Sequence, residues 1–232
     1  MAYIGQAPAN KPLGASDITD GIITDAKIVG MSSSKLSGDL PAISGANLTG
    51  ISADYVHIKT QTVSSGVASV NFVNGSSGVV FDGTYERYMV FVQDLITADD
   101  NSAQARVRIS SNGGSSYITS GYLSNGWRSY SKSGTGGSDR QFQDNSFDLI
   151  NINLKTSLSG GGINGVFYLT DPTVNRDQQF WSDFGGHDNE WSIRQMTSGV
   201  YTTQTTINAF QIVCLTSNIA GGVFTLYGLK SS

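Results

Sequence analysis

Apolar and polar positions divide the chain into two unlike parts. From residue 55 onward, short apolar runs recur at near-regular spacing, and many alternate with polar residues. That period of two is what a strand with one buried face requires. Residues 55–63 and 67–73 follow it, and Ser64-Ser65-Gly66 between them signals a hairpin. Residues 87–96 hold the unbroken run Tyr88-Met89-Val90-Phe91-Val92, the pattern of a strand buried on both faces and the expected centre of a sandwich. Ala103, Ala105, Val107 and Ile109 alternate with Gln104, Arg106, Arg108 and Ser110, which predicts a strand with one wet face. Asn112-Gly113-Gly114 then turns the chain into residues 115–123. Strand signals return at 147–154, 163–170, 180–184, 191–196, 207–216 and 223–230. About ten strands with little helix predict an all-β domain, with a jelly-roll-like β-sandwich as the leading architecture.

Two stretches break the pattern. Residues 124–144 mix glycines with Trp127, Tyr130 and Phe142 and read as a long irregular loop, while Gly185-Gly186-His187-Asp188-Asn189 separates two short strands. In a sandwich the strands are committed to the core and binding residues gather on connections, so these stretches are the expected outward surface.

Before residue 55 the pattern changes character. Apart from Tyr3, no Phe, Tyr or Trp occurs there, so this part cannot bury much area by itself. Residues 1–30 read as an extended attachment arm, rich in Ala, Gly and Pro at its start, with a short helical turn or strand at 16–28. Residues 31–54 form a glycine-punctuated neck in which Leu36-Ser37-Gly38, Ile43-Ser44-Gly45 and Leu48-Thr49-Gly50 repeat one theme. The aliphatics Leu36, Leu40, Ile43, Leu48 and Ile51 have nothing in their own segment to pack against. Equivalent residues of identical chains around a symmetry axis are the economical partners, and a flexible linker is the alternative. The expected organisation is arm 1–30, neck 31–54 and β-sandwich domain 55–232.

The opening MAYIGQAPANKPLGASDITDGIITDAKI and the phrase ISGANLTGI at 43–51 resemble the N-terminal parts of short tail-fibre and other virion proteins of tailed bacteriophages, especially phages of marine bacteria. RVRISSNGGSSYITSGY at 106–122 and GGVFTLYGLK at 221–230 resemble the β-domains of the same proteins. The resemblance implies a structural virion component, a homotrimeric tail or head fibre held by residues 1–30 on another virion protein, or else a capsid decoration. Such modules are exchanged among these roles.

Composition narrows the classes further. Only 14% of residues are charged, Gly numbers 28, and the net charge of −4 is scattered without a Lys/Arg run, so nucleic acid is not an expected partner. There is no apolar run long enough to cross a membrane as a helix, and the N-terminus lacks the signal-peptide pattern; assembly into particles made in a host cytoplasm is expected. Cys214, the single cysteine, lies in the apolar run Phe210–Leu215 and reads as a buried strand thiol.

Little in the chain suggests catalysis. Polysaccharide cleavage needs two carboxylates across a groove, and the choices are Asp99 with Asp100, Asp183 with Glu190, and Asp177. The first pair sits in a turn, where aspartates bond backbone N–H groups. His57, His187 and Cys214 lack metal-ligand spacing, the DxDxDG calcium pattern is absent, and no GxSxG serine is present. A non-enzyme without cofactor or metal is expected. The richest cluster is Trp127, Tyr130, Trp181, Asp183, His187 and Trp191. Aromatic rings stack on the C–H faces of sugars while carboxylate and amide groups bond hydroxyls, which makes these residues candidates for binding host surface glycans. The alternative is core tryptophans flanking an exposed polar turn.

Overall fold

Twelve β-strands and no helix make up the described residues of the chain, which are 55–99, 104–143, 145–151, 154, 161–187 and 191–229 of a computed structural model. The strands are β1 (Tyr55–Val63), β2 (Ser69–Val73), β3 (Arg87–Thr97), β4 (Ala105–Ser110), β5 (Tyr122–Lys132) and β6 (Thr135–Gln143), then β7 (Phe147–Ile150), β8 (Ile163–Thr170), β9 (Arg176–His187), β10 (Ser192–Thr205), β11 (Ala209–Cys214) and β12 (Ile219–Leu229). All lie within the unit Ser52–Ser232. The arm, the neck and the aliphatics Leu36, Leu40, Ile43, Leu48 and Ile51 lie outside the described residues.

The strands form two antiparallel sheets, one of eight in the order β1-β12-β3-β8-β9-β10-β5-β6 and one of four in the order β2-β11-β4-β7. Four of the pairings are nested: β1 with β12, β2 with β11, β3 with β8 and β4 with β7. The hairpin β5–β6 fills the innermost turn of this nest, and β9–β10 is inserted between β8 and β11. Both insertions join the larger sheet. The hairpin expected at Ser64-Ser65-Gly66 does not form, because β1 and β2 belong to different sheets; the turn carries the chain from one sheet to the other.

Alternation supplies the glue. The inward side chains of both sheets meet in one core, where Phe147 of β7 packs on Phe167 of β8 and Phe180 of β9 at 5.8 and 5.4 Å between ring centres, and Phe210 of β11 packs on Phe167 at 5.9 Å. Each such ring taken from water stabilises the fold by roughly 1.5–3 kcal/mol. Tilted and edge contacts are what aromatic quadrupoles prefer. Gly199 on β10 faces this core, and a β-carbon there would stand 2.8 Å from the Phe147 ring. The glycine lets the two sheets close over the ring.

Two strand assignments need correction. In β3 the run Tyr88–Val92 is not buried on both sides, since Phe91 points to the outer face and is 45% exposed. In β4 the reverse holds: Arg106 is not on a wet face but sealed, 3% exposed. Its guanidinium lies 3.0 Å from the buried Asp148 carboxylate and donates to Asn145 Oδ1 at 2.7 Å, to Ser146 Oγ and to Gln104 Oε1. Polar partners gathered from Gln104 and from the segment 145–148 make a charged position behave as interior.

The stretch 124–144 is also not a loop. Residues up to Gln143 are paired as β5 and β6 around Ser133-Gly134, both with positive φ (44° and 80°), the two-residue turn whose twist suits a hairpin. Polar residues and glycine interrupt both sides of β5: Ser124, Gly126 and Arg128 share the inner side with Tyr122 and Tyr130, and Asn125 and Ser129 share the outer side with Leu123 and Trp127. Along the inner side of β5, burial fades from Tyr122, Ser124 and Gly126 to the half-buried Arg128, Tyr130 and Lys132.

Candidate functional site

The outer face of the larger sheet carries most of the exposed large apolar side chains: Phe91, Leu123, Trp127, Trp181 and Met196. Register puts them in rows across the strands. One row runs Tyr168 (β8), Trp181 (β9), Ser198 (β10) and Asn125 (β5); the next runs Val166, Asp183, Met196 and Trp127. Neighbours in a row are cross-strand pairs, close enough for side chains to touch.

Tyr168 and Trp181 stack face to face, ring centres 4.1 Å apart and planes 6° from parallel. Trp181 is nevertheless 49% exposed, because Ser198 on its other side is too short to cover it. A cleft of about 970 Å³ opens there, bordered by Leu123, Asn125, Gln179, Trp181, Ser198 and Val200. A second hollow of about 370 Å³ lies on the Tyr168 side, reaching Tyr55 and Arg87. In the adjoining row Asp183 is held in a two-pronged ion pair by Arg194, at 2.9 and 2.6 Å. Those hydrogen bonds keep its carboxyl below the usual range.

The six candidate glycan-binding residues are not one cluster. Trp127, Trp181 and Asp183 share the outer face, and His187 ends β9, exposed, with the same outward parity. Tyr130 and Trp191 lie on the other side. Their rings meet edge to face at 5.3 Å, with Arg128 over Tyr130 and Lys132 over Trp191 at 5.7 and 5.8 Å. Both are half-buried and pack against the core. None of the four outer residues sits on an end loop; the strands β5 and β9 themselves present them.

Tyr168, Ser198, Gln179, Asn125, Leu123 and Met196 were missed as site residues. Their signal is parity: in Phe167-Tyr168-Leu169 the tyrosine alternates with two buried residues and must face outward. Which strand lay beside it was not legible.

Of the carboxylates weighed for catalysis, Asp183 is committed to Arg194, Asp99 accepts a hydrogen bond from Ser217, Asp177 is exposed, and Asp100 and Glu190 lie outside the described residues. Cys214 is buried in β11, and burial pushes its thiol up to about 12. Among the described residues no three His, Cys, Asp or Glu side chains gather as a metal site. No family model, curated protein or solved structure matches the chain.

Proposed function

We propose that this chain is a non-enzymatic structural component of a tailed-phage virion, a homotrimeric tail or head fibre fixed to another virion protein through residues 1–30, with the β-domain facing outward. The observation that carries the reading is the nested strand pairing. β1-β12-β3-β8 against β2-β11-β4-β7 is the order expected of a jelly roll, an architecture used in viral capsid and lectin domains, with β5–β6 and β9–β10 as insertions that widen one sheet. The step from fold to role is one of analogy and rests on the sequence resemblance at both ends of the chain.

Gold-labelled antibody against the β-domain, applied to intact virions, tests it. Label at the tail tip or on head fibres is expected, label spread over the capsid surface would make the chain a decoration protein, and particles without label would sink the virion reading.

A second reading, a receptor-binding adhesin for host surface glycans, is favoured by the outer face around Trp181. The two inserted hairpins build that face, since Trp181 belongs to β9 and Trp127 to β5.

A further inference from the structure

We infer that the cleft beside Trp181 binds a neutral hexose unit of an oligosaccharide chain. The inference deepens the adhesin reading and does not depend on where the chain sits on a particle.

A sugar ring offers a flat patch of C–H groups and a rim of hydroxyls. It is recognised by one fixed aromatic face with hydrogen-bonding groups beside it. Trp181 meets the first requirement. The parallel Tyr168 ring, 4.1 Å away, occupies the β8 side of the indole and limits its rotation, so the exposed β10 side is a pre-set platform. Asn125, Gln179 and Ser198 meet the second. Their side chains border the same cleft, and among the described residues none has a hydrogen-bond partner. Amide and hydroxyl groups donate and accept alike, which suits hydroxyls that do both.

Charge sets the ligand class. The cleft lining carries no ionisable side chain, and the nearby Asp183 and Arg194 neutralise each other. An anionic sugar would find no cation in the lining. The opening of about 970 Å³ is at the upper end of ligand-pocket sizes and lies across a sheet surface, so it suits several linked units better than a single enclosed one.

The test uses the full chain and an array of neutral hexose oligosaccharides, including maltohexaose, cellohexaose and mannohexaose, with heparin hexasaccharide as the anionic comparison. Calorimetry and tryptophan emission supply the affinity. At least one neutral oligosaccharide is expected to bind and shift the emission. Trp181→Ala should weaken binding tenfold or more, and Ser198→Tyr, which covers the open indole face, should do the same, each with an unchanged melting temperature. Absence of neutral binding at millimolar concentration overturns the inference, as does preference for the heparin fragment or binding that survives both substitutions. Should Trp181→Ala instead alter the sedimentation of the sugar-free chain, the face belongs to a contact between copies and the inference falls. Gold labelling of virions is decided separately, so the two readings can fail independently.

Discussion

Arg106 and Asp148 face each other across β4 and β7 at 3.0 Å, both side chains closed off from water. Burial pushes the Asp148 carboxyl up to about 6, and the guanidinium opposes that rise without cancelling it. The folded state therefore holds this proton more tightly than the unfolded chain, whose ordinary value is 3.8. Its stabilising contribution is complete below pH 3.8 and is lost as pH rises through about 6, an effect of about 3 kcal/mol across the window. Denaturant unfolding of Asp148→Asn should show a flatter stability profile between pH 4 and 7 than the parent. Arg106→Met removes the opposing charge and should carry the slope to higher pH.

The contact of Gly199 with Phe147 predicts an overpacking effect. Gly199→Ala places a methyl 2.8 Å from both the Phe147 ring and the Leu123 carbonyl oxygen. A loss of about 1–3 kcal/mol is expected in chemical denaturation. Unchanged stability would mean that the sheets separate there at no cost.

Trp127 and Trp191 should behave differently. Trp127 is 47% exposed on the outer face, so Trp127→Ala should stay within about 0.5 kcal/mol of the parent. Trp191 is half-buried, packed on the core and edge-on to Tyr130, and its truncation should cost about 1–3 kcal/mol, below the roughly 3–5 of a fully buried tryptophan. Thermal melts of the two variants give the comparison directly. Equal losses would contradict the assignment of the two residues to opposite faces.

Residues 31–54 carry the prediction of assembly. The full chain should sediment as a trimer at micromolar concentration, and Ile43→Asp with Leu48→Asp should dissociate it while its β-type circular dichroism persists. A monomeric parent would remove the neck from the proposed function.

Much of the strand content was readable because alternation is local: a residue's neighbours two places away reveal which face it shares. β1 follows directly from such alternation, and β3 was marked by its unbroken apolar run, though not with the right faces. Alternation failed where its physical basis failed. In β5 and β6 glycines and polar residues break up both sides, and the one cue to their hairpin was Ser133-Gly134, a two-residue turn signal inside a stretch that otherwise read as loop. Arg106 failed in the opposite sense. A charged residue reads as exposed until its partners are known, and Asp148, Asn145 and Ser146 are some 40 residues away in sequence.

The candidate site shows the same division. Composition marks Trp127, Trp181 and Asp183 as chemically able, and the structure places all three on the outer face. Only tertiary structure separates them from Tyr130 and Trp191, sets Tyr168 against the indole and leaves Ser198 on its open side. By itself the sequence determined most of the segments that extend and, outside β3, Arg106 and the β5–β6 hairpin, which face turns inward, because side-chain period and turn chemistry act over a few residues. The tertiary structure decided which strands are neighbours, since pairing β1 with β12 or β3 with β8 joins segments far apart in the chain, and their match depends on shape across the whole core.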